Sequence, residues 1–249
     1  MPNVDIFYVY GIPNDADACK ALSRWLGDNI PGVEDGGICR IDNVLVAGCA
    51  DRINVQEDCI LHKRLTAFEY LASEGRYDFI YTVCAASYVD QYELINHVSA
   101  LKEVRLISGS VSIDRSHCAP FVSGASMLLS ADIARDLGKR RAEIIEENQF
   151  GFRDDVAIGY WVAKHMSDMP LEVIMNSIKS GRPFPKDCIF ARAGHTTVDY
   201  VLTSSEDLRP RRDAFHYHFH SGKAHDMAGF HSRYFLHQTR SLRSSYSDD

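Results

Sequence analysis

Arg76-Tyr77-Asp78-Phe79-Ile80-Tyr81-Thr82-Val83-Cys84-Ala85-Ala86-Ser87-Tyr88-Val89-Asp90-Gln91-Tyr92-Glu93-Leu94-Ile95 is the stretch on which the fold turns. Its first part, Asp78–Val83, is aromatic and β-branched and predicts a strand. The small residues Cys84, Ala85, Ala86 and Ser87 then predict a loop, and Leu94, Ile95, Val98 and Leu101 recur at helical spacing. Strand, loop and helix in that order are where an open α/β sheet keeps its ligand groups, here Cys84, Ser87, Tyr88 and Asp90.

The same alternation extends outward. Upstream, Leu61, Leu65, Phe68 and Leu71 repeat at spacings of 4, 3 and 3, one face of a helix that Glu57 and Asp58 open and Gly75 closes. Before it, Val4–Tyr10 and Val44–Ala47 read as strands around a short helix, Asp17–Leu26, and a loop, Pro31–Gly37. Downstream, Val104–Ile107 is a further strand. Ser130 is placed to N-cap a helix from about Ala131, and another helix follows Asp154-Asp155. Short strands are expected near Leu171–Met175, Cys188–Ala191 and Ala214–His220. Strands alternating with helices predict an α/β fold with a mostly parallel central sheet and helices on both faces. No repeat or low-complexity linker divides it, so residues 1–249 read as one domain with a disordered tail at 244–249.

Composition bounds the class. The hydrophobic fraction of 45% and charged fraction of 24% are those of a globular protein. No apolar run approaches the roughly 18–20 residues that span a bilayer, and the first residues carry no basic leader. A cytoplasmic protein is the expectation. The seven cysteines include no C-x-x-C pair and suit free thiols in a reducing compartment. A net charge of −7 argues against nucleic acid as a partner. The charge is uneven: residues 1–60 hold ten acids against four Lys/Arg, and residues 209–243 hold seven Lys/Arg and six His against two acids. A basic, His-rich segment on an acidic body suits a small anionic ligand such as a diphosphate.

Three further constellations can carry chemistry. Arg153-Asp154-Asp155-Val156-Ala157-Ile158-Gly159 places two carboxylates at a helix entry. Taken alone the motif reads first as a helix cap; one acid suffices for that and two adjacent ones repel, so the second could act as a general base for a hydroxyl. Phe121–Ser130 has Gly124 among small residues, which suits either a tight turn or close approach of backbone to a substrate. His216-Tyr217-His218-Phe219-His220 alternates, putting three histidines on one strand face. That face suits metal or phosphate, or is simply wet, with the aromatics packed inward.

Placed in order, these segments resemble the GT-A glycosyltransferases of the fringe and β-1,3-galactosyltransferase type over roughly residues 44–165. Asp51 to Lys63 and Thr66 is similar to that family's donor-side run, and Phe79–Leu94 to its strand, DxD loop and helix. Phe121–Leu137 resembles the G-x-x-x-x-L-S acceptor-side segment, and Asp154–Gly159 the acidic-Asp-Val-x-x-Gly motif that supplies the base. The DxD position falls at Cys84-Ala85-Ala86, which carries no carboxylate.

The resemblance implies a GT-A-like domain that moves a sugar, with inversion, from a nucleotide-sugar donor, UDP-linked by analogy, to an acceptor hydroxyl. Asp155 would be the catalytic base, with Asp154 the close alternative. Asp51, Lys63, Cys84, Ser87, Asp90, His218, His220, Lys223 and Arg233 would serve the donor, and Ser123 and Gly124 the acceptor. No cofactor is required if side chains offset the leaving diphosphate. If a metal site is rebuilt without DxD, manganese or magnesium is implied, with His216, His218 and His220 as candidate ligands. The rival readings are a degenerate, non-catalytic sugar- or nucleotide-binding relative and a metallohydrolase built on the histidines.

Overall fold

The computed structural model describes residues 4–12, 20, 24, 37–50, 59–84, 87–101, 105–114, 119–148, 151–166, 172–178, 194–195, 199–203 and 214–219. In chain order the elements are β1 (Tyr8–Ile12), β2 (Ile38–Ile41), β3 (Val44–Ala50), α1 (Cys59–Ser73), β4 (Phe79–Tyr81), β5 (Ser87–Val89) and α2 (Gln91–Ala100). There follow β6 (Leu106–Asp114), β7 (Ala119–Val122), β8 (Leu128–Ser130), α3 (Ala131–Lys139), α4 (Arg141–Glu147) and α5 (Asp154–His165). The chain continues with β9 (Glu172–Ile178), β10 (Gly194–His195), β11 (Asp199–Thr203) and β12 (Ala214–Phe219).

The expected single, mostly parallel sheet is not what these strands build. They form three sheets: β1-β3-β2; β10-β9-β6-β8-β4 with β7 added on β6; and β11-β12-β5. Among the described residues four pairings are parallel and five antiparallel. The reason is topological. Helix α1 carries the chain from β3 in the first sheet to β4 in the second, and α2 carries it from β5 in the third sheet to β6 in the second. Alternating periodicity fixes the type of each element, but a parallel sheet needs each crossover to return to the sheet it left. Strand β6 is instead followed by β7 and β8, each antiparallel to it, and β4 closes that edge antiparallel to β8. The GT-A-like sheet implied by the resemblance is corrected on the same ground.

The helical readings fare better. Leu61, Leu65, Phe68 and Leu71 are all buried on α1, in one cluster with Ile133 and Leu137 of α3 and Val156, Ile158, Trp161 and Val162 of α5. Ser130 precedes α3, yet its hydroxyl does not cap. It donates to Asp132 Oδ1 at 2.6 Å and accepts from the Leu106 amide at 3.0 Å, joining the helix start to β6. Gly75, at φ 68, lies two residues past the end of α1 in the left-handed region that favours glycine. The short helix at Asp17–Leu26, the loop at Pro31–Gly37, the acids Glu57 and Asp58, the strand near Cys188–Ala191 and the tail at 244–249 lie wholly or mostly outside the described residues.

Helix α5 is seated directly on β7. A Cβ built on Gly159 would stand 2.4 Å from the Pro120 carbonyl oxygen and 2.5 Å from the Phe121 Cα. Both are backbone atoms and cannot swing aside. Alanine gains about 1 kcal/mol in helix propensity over glycine, and overpacking against backbone costs about 1–3 kcal/mol or more. Gly159→Ala is therefore expected to lower the melting temperature by several degrees in a thermal scan, whereas an unchanged or higher value would mean that α5 lifts away from β7 without cost.

Candidate functional site

The two carboxylates of the sequence motif are the first two residues of α5, and neither is its cap. The N-cap residue is Arg153, and no side chain caps there. Asp155 instead turns outward from the helix. Its Oδ2 accepts the Gly124 amide hydrogen at 3.1 Å, and its Oδ1 accepts the Val156 amide at 2.9 Å. Asp154 is occupied otherwise: its Oδ2 pairs with Arg64 Nη1 at 2.6 Å, both side chains being largely buried.

The turn after β7 completes this cluster. Ser123 takes its amide partner from the Ser110 carbonyl, and Ser126 donates back to the Ser123 carbonyl at 3.0 Å, closing a tight turn around Gly124. The Gly124 carbonyl accepts Arg64 Nη2 at 3.1 Å and the Thr82 hydroxyl at 2.9 Å. Thr82 sits just past β4, where its amide donates to the Met127 carbonyl. Four segments thus converge on one residue, Gly124: α1 through Arg64, the end of β4 through Thr82, the turn itself, and the start of α5 through Asp155.

Electrostatics distinguishes the two acids. Burial pushes the Asp155 carboxyl above the ordinary aspartate value, and the neighbouring Asp154 pushes it the same way. The Gly124 amide, the Arg64 guanidinium and the Val156 amide pull against these and do not overcome them. A carboxylate raised in this way is a better proton acceptor near neutral pH. Such perturbation by burial plus a specific charged neighbour occurs at functional sites and in structural ion-pair networks alike.

A second cluster surrounds β12. His216 is only 1% exposed and Tyr217 is fully buried, because β12 is the central strand of its sheet, parallel to β11 and antiparallel to β5. His216 Nδ1 lies 2.5 Å from the Tyr81 hydroxyl and Nε2 lies 3.0 Å from the Ser87 hydroxyl. Ser87 Oγ is in turn 3.3 Å from Cys84 Sγ, and the Ser87 amide donates to the Cys84 carbonyl. Tyr217 packs on Tyr88. The wet strand face considered in the sequence is therefore absent at these two positions, since residues on both faces are covered. Tyr81 and Thr82 are adjacent, so the end of β4 serves both clusters: Tyr81 reaches His216 and Thr82 reaches Gly124.

The sequence-based candidates distribute as follows. Asp155, Asp154, Ser123 and Gly124 come together around the turn. Cys84, Ser87 and His216 come together on β5 and β12. Asp90 is the N-cap of α2, its Oδ1 accepting the Glu93 amide at 3.1 Å, and it is buried. Its charge and burial together push the Tyr88 phenol upward, burial being the larger cause. Lys63 is partly buried on α1, but it is the next residue, Arg64, that reaches the carboxylates. Gly124 does not open a path for a substrate. A Cβ there would stand 2.1 Å from Arg64 Nη1, so the guanidinium fills the space that the missing side chain leaves. Asp51, His220, Lys223 and Arg233 lie outside the described residues, as does the side chain of His218.

Sequence reading missed Arg64, Thr82 and Tyr81. Arg64 carried a signal: it stands three residues after Leu61 and four before Phe68, on the buried stripe of α1. A charged residue on a buried stripe requires an opposite charge, and Asp154-Asp155 is the acidic pair that lacked one. Thr82 and Tyr81 carried none, because their roles depend on long-range contacts.

Among the described residues the implied metal finds no donor set, and the candidate ligand His220 and the side chain of His218 lie outside them. Cys84 stands at the DxD position and is bonded to Ser87, Asp90 caps a helix, and both ring nitrogens of His216 have protein partners. Among the described residues no group of three or more His, Cys, Asp or Glu side chains could hold a metal ion. Also among them, no helix is long and apolar enough to cross a membrane, and Cys39, Cys49 and Cys84 are partly exposed and form no disulfide. Comparison with protein-family models and with curated proteins finds no match to this sequence.

Proposed function

We propose that this protein transfers a glycosyl group from a nucleotide-sugar donor to an acceptor hydroxyl, with Asp155 as the general base. The observation that supports this most is the Asp155 carboxylate. It is held by two backbone amides, raised in basicity by burial and by Asp154, and relieved of the ion-pairing role that Asp154 takes with Arg64. In the proposed step the acceptor O–H proton passes to Asp155 as the oxygen bonds to the anomeric carbon. The bond from that carbon to the diphosphate breaks, and its electron pair leaves on the diphosphate. One such displacement inverts the centre.

The leaving group needs hydrogen-bond donors and positive charge. On this reading they come from the Ser87 hydroxyl, braced by His216, and from the basic segment containing His218, His220, Lys223 and Arg233. No step is routed through a metal. The resemblance supplies the class of donor, including its uridine diphosphate, and the direction of stereochemistry.

A ligand that binds only the native state adds about 2.7 kcal/mol at ~100 times its dissociation constant. For a chain of this size that is roughly 5–10 °C in melting temperature. Uridine diphosphate at millimolar concentration is expected to produce such a rise, and a panel of nucleotide-sugars with simple glycoside acceptors is expected to release nucleotide with one donor. A rise without release from any donor would favour the non-catalytic binding relative. The absence of both the rise and the release would overturn the proposal.

A further inference from the structure

We propose that Arg64 is the positioning residue of this site: by gripping Asp154 and the Gly124 carbonyl at once, it presents the Gly124 amide to Asp155 and leaves Asp155 as the one carboxylate that moves a proton. The sequence offers two adjacent acids with no means of choosing between them. The geometry supplies the choice. A guanidinium has five donors in a fixed planar fork, and here one nitrogen ion-pairs with one segment while another hydrogen-bonds a second. Nη1 reaches Asp154 Oδ2 at 2.6 Å and Nη2 reaches the Gly124 carbonyl at 3.1 Å.

The Gly124 carbonyl also accepts the Thr82 hydroxyl, so its peptide plane is fixed on the oxygen side by two donors. The Gly124 N–H belongs to the preceding peptide plane, joined to the first through the Gly124 Cα, and Asp155 Oδ2 accepts it at 3.1 Å, so the planes on both sides of residue 124 are held. The guanidinium lies so close to Gly124 that a Cβ would collide with Nη1, Cζ and Nη2 together. Glycine at 124 and arginine at 64 are thus one device. Among the described residues the charged groups that face Asp155 are Asp154 and Arg64, and their effects on it are opposite in sign. Asp154 makes its ionisation harder and Arg64 makes it easier. This inference rests on the transferase reading only for naming the proton's source, since its test needs no turnover.

The test is an infrared titration of carbon-13 aspartate-labelled full-length protein. The protonated-carboxyl band that is lost in Asp155→Asn identifies Asp155. Removing a like charge should lower its midpoint, and removing an opposite charge should raise it, each by about one pH unit or more for groups this close. Asp154→Asn is therefore expected to move the Asp155 midpoint down and Arg64→Met to move it up. Arg64→Lys keeps the charge but cannot hold both partners in the fork. It should leave the midpoint near wild type, while hydrogen exchange at the Gly124 amide speeds up by tenfold or more. If Arg64→Met does not fold, the Asp154→Asn shift and the Arg64→Lys exchange decide the matter. No midpoint shift in Asp154→Asn, or a Gly124 amide as protected in Arg64→Lys as in wild type, would overturn the proposal. A positive result with no transfer activity would instead count against the transferase reading alone.

Discussion

Asp155→Asn is expected to reduce glycosyl transfer by roughly 10²–10⁴-fold, the usual contribution of a general base, while the protein still folds with a stability near that of wild type. The folded-state pKa of Asp155 is raised above the ordinary value of about 3.9. A group raised in this way favours the fold below its unfolded pKa and loses that contribution as pH rises through its folded value. At neutral pH the ionised carboxylate beside Asp154 is thus a local cost, which asparagine removes. The amide oxygen of asparagine can still accept one of the two backbone amides that the carboxylate holds, but its NH2 then faces the other, a loss of about 1–3 kcal/mol that opposes the relief of charge. Turnover and melting temperature measured at pH 7 on the same preparation decide the point. Early melting with full turnover would make Asp155 a structural residue. Unchanged turnover and unchanged melting would remove it from the chemistry altogether.

How far the site could be read in advance follows from which forces act locally. Helix α1 was legible because Leu61, Leu65, Phe68 and Leu71 each pack on the same side, and 3.6-residue periodicity is a property of the chain itself. The acidic pair at 154–155 was legible for the same reason: its position at a helix start is set by neighbours in sequence. What divides the pair is not local. Arg64 lies 90 residues earlier than Asp154, and Gly124 receives its partners from residues 64, 82 and 155. Sheet order was hidden for a related reason. β8 carries only Leu128-Leu129-Ser130, and nothing in those three residues says that they insert antiparallel between β6 and β4. Likewise β5, Ser87–Val89, read as loop because it is short and follows Cys-Ala-Ala, and it becomes a strand by pairing with β12, more than 120 residues on. A histidine on an alternating strand was read as a ligand because alternation shows which residues share a face, but not whether that face is covered.

His216 carries the second large expectation. From the middle strand of the third sheet its ring joins Ser87 on β5 of that same sheet to Tyr81 on β4 of the second. It also meets the Tyr81 ring edge-on, with centroids 5.8 Å apart. His216→Ala would remove two hydrogen bonds, worth about 0.5–1.5 kcal/mol each, and leave a cavity at a site that is 1% exposed. A loss of about 3 kcal/mol is expected, or roughly 6–12 °C in melting temperature for a chain of this length. This expectation separates the bridge from the metal ligand that alternating histidines suggested. A bridging imidazole has both nitrogens engaged by protein hydroxyls, so the wild-type melting temperature should be the same with and without a strong chelator. The variant should melt early in both conditions. A metal ligand would behave differently: chelation would bring the wild type down toward the variant and leave the variant unmoved. The bridge also has a consequence for the donor side. Ser87 is held by His216 on one side and Cys84 on the other, so Ser87→Ala should keep most of the stability and weaken uridine diphosphate binding if the hydroxyl faces the diphosphate. His216→Ala should weaken binding through the same hydroxyl and lose stability as well. Stability lost with nucleotide affinity retained in His216→Ala would confine the bridge to holding the two sheets together.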